Sequence, residues 1–267
     1  METIKCKACG SNDIVVQDGY YVCQYCGTKS LLESRGKHSP QKQIPILPKN
    51  YVCPEGAING LFSVGPNEWV LFSKGNLQYQ ASTSQWQFAE HQYGIIGEAD
   101  KNEGWDDLFD WGTGTSQGKI SGTWFALSID QWGYILKKRS VASDMRFVKA
   151  QAAGVNGLVL LPDNWDTNQY ILYKVNRGEA AYTDNIISAD EWDTQFQAHG
   201  AVFLPASGRR DGAKVIQAGS SGFYWSSTGG SFGRANCMLF DNTNLDPSDG
   251  KGRSNGYSVR LVCPVKR

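Results

Sequence analysis

Apolar and polar residues alternate with a period of two through most of this chain, a pattern that predicts short strands rather than long helices. Residues 56–64 and 69–72 read as strands joined at Gly65-Pro66-Asn67, and residues 75–80 and 86–88 carry the alternation on. Two apolar strands end in Leu-Pro, at Leu161-Pro162 and Leu204-Pro205. Near the C-terminus, residues 224–227 and 257–262 read as core strands around a stretch rich in Gly, Ser, Asn and Asp, which favour turns. Within that stretch, alternation over 235–241 places Met238 and Phe240 on a core face and Cys237, Leu239 and Asp241 on an outward face. Helical spacing breaks in twice. Ser128-Ile129-Asp130-Gln131 and Ser188-Ala189-Asp190-Glu191 are capping boxes, followed by Trp132, Ile135 and Leu136 in one case and by Trp192 and Phe196, with Gly200 as the stop, in the other. Residues 97–122 lose all periodicity and read as a loop pinned by Trp105, Leu108, Phe109 and Trp111. A sheet with two helices and many loops makes an α+β domain.

The first thirty residues follow another pattern. Cys6-Lys7-Ala8-Cys9 and Cys23-Gln24-Tyr25-Cys26 hold four of the seven cysteines, and a glycine follows each pair. Two thiolates three positions apart grip one face of a tetrahedral metal ion, and the second pair completes a closed four-cysteine site, structural rather than catalytic. Ile14-Val15-Val16 and Tyr20-Tyr21-Val22 around Asp18-Gly19 read as a hairpin, so residues 1–30 resemble a zinc ribbon. Two disulfides are the competing reading, and nothing points to an oxidising compartment. So small a module has too little core to fold unaided, so zinc is expected to supply its folding energy. Residues 31–54, polar and spaced by prolines, read as a semi-rigid linker to a large domain at 55–267.

Charge and composition narrow the function. Twenty-six Lys and Arg balance twenty-six Asp and Glu, so no excess charge favours nucleic acid or a membrane surface. No apolar run reaches the ~20 residues of a membrane span, and the N-terminus carries no secretory signal. His91 and His199 stand at no recognisable spacing from a Ser, Cys or acid that would form a nucleophilic set, so no catalytic residue is expected.

The segments 57–64 (AINGLFSV), 75–79 (GNLQY), 161–165 (LPDNW), 204–209 (LPASGR), 224–227 (YWSS) and 256–262 (GYSVRLV) resemble the C-type lectin-fold proteins of gut bacteria and their phages, a fold shared with formylglycine-generating oxidases. More narrowly, the C-terminal arrangement is similar to the variable proteins of diversity-generating retroelements, and the resemblance covers residues 55–267. In that family an error-prone reverse transcriptase rewrites template adenines, so asparagine codons scatter into many residue types while the framing strands stay fixed. Randomising the first two positions of such a codon never yields Glu, Gln, Lys, Met or Trp, and residues 229–255 contain only Met238 and Lys251 from that set.

The resemblance implies a non-enzymatic ligand-binding protein, diversified over about residues 220–262 to bind varied, chiefly protein, targets, in the cytoplasm or on a phage virion. Its ligand-facing residues would be Phe223, Gly230, Ser231, Phe232, Arg234, Asn236, Cys237, Leu239, Asp241, Asn242, Asn244, Asp249 and Ser254. Phe232, Leu239 and Arg234 would be the anchors, because aromatic, apolar and Arg side chains dominate binding energy. Tyr224, Trp225, Met238, Phe240, Tyr257, Val259 and Leu261 would form the scaffold, and the ribbon would engage a protein partner.

Two alternatives compete. Formylglycine-generating oxidases need a close pair of reactive cysteines, whereas Cys237 and Cys263 lie far apart in sequence. Glycan binding, calcium-dependent or independent, is the other. Calcium takes about six to eight oxygens from several segments, and Pro162-Asp163-Asn164-Trp165-Asp166 is the single cluster in view.

Overall fold

The computed structural model describes residues 6, 9–17, 20–31, 46–48, 50–80, 85–95, 123–211 and 214–265. The chain divides into two compact units, Met1–Gln43 and Ile44–Arg267. In the first, β1 (Ile14–Gln17), β2 (Tyr20–Cys23) and β3 (Lys29–Leu31) form an antiparallel sheet in that order, as the hairpin pattern predicts. The Asp18-Gly19 turn itself lies outside the described residues. Gly10 and Gly27, at φ 74° and 71°, let their amides donate back to the carbonyls of Cys6 and Cys23 at 2.8 and 2.9 Å. That left-handed turn closes each cysteine pair into a tight loop.

The second unit is rich in sheet with two short helices, an α+β arrangement. Its strands, in chain order, are β4 (Phe62–Gly65), β5 (Glu68–Phe72), β6 (Leu77–Gln80), β7 (Gln85–Phe88), β8 (Phe125–Ala126), β9 (Phe147–Ala152), β10 (Val155–Leu160), β11 (Ile186–Ile187), β12 (Val202–Pro205), β13 (Arg209–Asp211), β14 (Lys214–Ile216), β15 (Gly222–Gly229), β16 (Arg234–Phe240), β17 (Leu245–Gly252) and β18 (Leu261–Pro264). The late strand β18 inserts between β5 and β8, so both ends of the unit share one sheet of order β4-β5-β18-β8. A second sheet runs β11-β9-β10-β12, and a third runs β15-β16-β17. The third, together with its two connecting turns, carries all of the candidate ligand-facing residues except Ser254.

Both helices begin where the capping boxes predict. At α1 (Ile129–Gly133) the Ser128 hydroxyl accepts from Gln131 N at 3.2 Å, and Gln131 Oε1 accepts from Ser128 N at 3.0 Å. Ser188 and Glu191 make the same reciprocal pair at α2 (Ala189–Glu191). Each helix widens into a π-type turn that buries its apolar face, Ile135 and Leu136 in the first and Trp192 and Phe196 in the second. Gly200, at φ 84°, ends the second helical stretch, and a Cβ there would stand 2.5 Å from the Gly60 Cα.

Three expectations change. Residues 56–61 do not extend β4, since Ala57 makes one isolated bridge to Ser73. Regular pairing near the C-terminus starts at Leu261, with Ser258 bridging Tyr224 singly. The polar stretch 245–252, read as turns, is the strand β17. Its Pro247 is tolerated because β17 is an edge strand and its pairing slips there, with Asp249 opposite Cys237 but Asp246 opposite Leu239, which marks a bulge. The loop expected at 97–122 and the linker residues 32–45 lie outside the described residues. Leu47, Tyr51 and Cys53, read as linker, pack against the core of the second unit.

Candidate functional site

The sheet β15-β16-β17 is covered on both faces. Tyr224, Met238 and Phe240 face one apolar cluster, as alternation predicts. Phe223 and Cys237, read as ligand-facing, are 4% and 0% exposed. Tyr257 causes this: its ring stacks on Phe223 with centroids 4.8 Å apart and lies 4.2 Å from Trp225. With Leu61, Leu71, Leu261 and Cys263 it builds a second cluster over that face. Alternation says which residues share a face and nothing about what covers it. Phe223 and Cys237 therefore leave the ligand-facing set, and Leu239 is half-buried against the same cluster.

The remaining candidates separate into two groups. Gly230, Ser231, Phe232 and Arg234 form the hairpin between β15 and β16, with Asn236, Asp249 and Ser254 at the same end. Asp241, Asn242 and Asn244 form the turn between β16 and β17, at the other end. The seven residues of β16 hold the groups roughly 20 Å apart.

At the hairpin, Phe232 (φ 53°) and Gly233 (φ 75°) are both left-handed, and the Phe232 side chain is 100% exposed. The loop beneath it is tied down. Gly230 N donates to the Arg234 carbonyl and Arg234 N to that of Ser231, each at 3.1 Å. Arg234 Nη2 donates to the Gly250 carbonyl at 2.7 Å, Arg253 Nε to that of Arg234 at 3.0 Å, and Asn236 Nδ2 to that of Gly229 at 3.0 Å. At the turn, Asp241 Oδ1 accepts from Thr243 N, Thr243 Oγ1 and Asn244 N at 2.7–2.9 Å. Burial opposes the Asp241 charge, but these bonds outweigh it and draw its pKa below the usual value.

In the first unit, the sulfurs of Cys6, Cys9, Cys23 and Cys26 lie within 4.8 Å of one another, with Cys6–Cys26 and Cys9–Cys23 at 3.6 Å. Four thiolates around a tetrahedral zinc ion at ~2.3 Å stand about 3.8 Å apart. All four are free thiols close enough to hold a metal ion. The Thr28 hydroxyl and amide draw Cys26 down to about 6, while Cys9, against a bond to Ser11 that lowers it, is raised by the surrounding cysteine sulfurs, so within the set the negative charge falls first on Cys26.

Burial pushes the Cys237 thiol up to about 12 and the Cys263 thiol up to about 11. Asp163, central to the calcium reading, is fully buried, with Oδ1 on Arg139 Nη1 at 2.8 Å and Oδ2 on Ser63 N at 2.9 Å. Protein donors thus occupy both of its oxygens. His91 stacks on Tyr93 with centroids 5.2 Å apart, and His199 Nδ1 lies 3.1 Å from the Gln195 carbonyl, so among the described residues neither makes a hydrogen bond to a Ser or Cys. One residue of the site escaped the sequence pattern: Lys149 on β9, whose Nζ reaches the carbonyls of Asp241 and Asn244 from below the turn. A lone lysine in a strand reads as an outward residue, so no local signal marks it.

No protein-family model matches the chain, and neither the curated proteins nor the solved structures give a match. Among the described residues no helix is long and apolar enough to cross a membrane.

Proposed function

We propose that this chain is a non-enzymatic binding protein of C-type lectin fold, akin to the variable proteins of diversity-generating retroelements, whose C-terminal sheet presents exchangeable residues to protein targets. The observation that carries the reading is Phe232. A fully exposed aromatic on a left-handed backbone contributes nothing to the core, yet the loop under it is fixed by two arginines and an asparagine. Rigid presentation lowers the ordering cost of binding, and aromatic anchors are where binding energy concentrates. The framing residues Tyr224, Trp225, Met238, Phe240, Tyr257, Val259 and Leu261 are all buried, so the exposed positions between them can change without disturbing packing. Thiols held protonated are poor nucleophiles, which favours binding over an oxidase role. The four-cysteine unit is a zinc ribbon in this reading, a separate module that docks the binder to a protein partner.

Selection from a displayed library of the full chain, randomised at Ser231, Phe232, Asn242, Asn244 and Ser254, tests the reading. Binders to unrelated folded proteins, with melting temperatures near that of the parent, are expected. A library in which most members fail to fold, or from which no binder emerges, would contradict it.

A further inference from the structure

Lys149 stands midway along β9, and its side chain is fully buried. Its Nζ donates to the backbone carbonyls of Gly178, Asp241 and Asn244, the last at 3.2 Å, so three ammonium protons meet three acceptors. It makes no ion pair among the described residues. Burial pushes its pKa down to about 8, against the pull of the Asp241 and Glu179 carboxylates. What the ammonium supplies is a shared anchor for two surface segments. Asp241 and Asn244 belong to the turn between β16 and β17, while Gly178 sits between Arg177 and Glu179, an exposed pair 3.9 Å apart. The segments also touch, since a Cβ on Gly178 would stand 3.2 Å from the Leu245 Cβ.

We infer that Lys149 is a positioning residue that locks the β16–β17 turn and residues 177–179 into one preformed surface, so that Asn242, Asn244, Arg177 and Glu179 meet a protein target together. The lock extends the ligand face beyond the diversified segment, and its part in binding rests on the function proposed above. A turn fixed before the target arrives loses less entropy on binding.

Hydrogen exchange on the full chain tests the lock without any ligand. In Lys149→Met the Asp241 and Asn244 amides should exchange about tenfold faster or more, as expected for losing charge-assisted bonds to local carbonyls. The Gly230 and Arg234 amides should keep their rates. Unchanged exchange at Asp241 and Asn244 would overturn the inference. Should Lys149→Met fail to fold, Lys149→Gln decides, since its shorter, two-donor amide cannot serve all three carbonyls. Faster exchange at the turn supports the lock, and wild-type rates overturn it. A loosened turn with undiminished affinity for a target selected by display would overturn the role in binding while leaving the display result in place.

Discussion

Phe232 and Lys149 are opposite cases of a residue placed against its own preference, the first apolar in water and the second charged in the core. Replacing Phe232 with Ala removes no packing, so stability should change by less than about 0.5 kcal/mol, while affinity for a selected target should fall by roughly 2 kcal/mol or more. Urea unfolding and calorimetric titration check the two halves. Lys149 carries a stability signature with a definite sign. Its folded pKa, about 8, lies below the ordinary 10.5, so between these values the unfolded chain binds the proton and the folded chain does not. Its contribution to stability therefore rises with pH across that window and is flat below it. From pH 7 to 9.5 the wild type should gain roughly 2 kcal/mol relative to Lys149→Met. Parallel urea-unfolding profiles for the two proteins would contradict this. The resemblance singles out Phe232 as an anchor, whereas Lys149 does not announce itself in the sequence, because a side chain's burial depends on partners that lie far along the chain. Arg260 makes the same point: it is fully buried, donating to Gln92 Oε1 at 2.6 Å and to the Phe203 carbonyl at 3.3 Å.

Elements defined by local rules were legible. Both capping boxes, the Gly200 stop and the paired cysteine loops sit where short-range chemistry places them, since each depends on contacts within a few residues. β17 was not legible, because its Pro247 and glycines read as turns and become a strand only at an edge with a bulge. The second cover on β15 and β16 was hidden for a similar reason, as it comes from Tyr257 and from β5, β8 and β18. Asp163 shows how one acid joins such elements, receiving Arg139 from the end of the first helical stretch and Ser63 from β4. Asp163→Ala would leave a buried guanidinium without its partner and should cost about 3–5 kcal/mol in urea unfolding. A loss under about 1 kcal/mol would mean that water or another acid replaces it.

At the scale of the whole molecule, two units with separate means of support are joined in one chain. The large unit rests on three apolar clusters, and among its described residues the small one brings together the four-cysteine set. If the four cysteines hold zinc as proposed, a zinc chelator should abolish the small unit's structure in far-ultraviolet circular dichroism and leave the main thermal transition of the full chain in place. Loss of both together, or of neither, would contradict that independence. The central claim, that the C-terminal sheet is a scaffold for exchangeable contacts, is tested most directly by sequencing this gene and its surroundings across related isolates. The account predicts substitutions at adenines of a nearby near-identical template, concentrated at Ser231, Phe232, Asn242, Asn244 and Ser254 and sparing Tyr224, Trp225, Met238 and Phe240. Variation spread evenly along the chain, with no template, would contradict it.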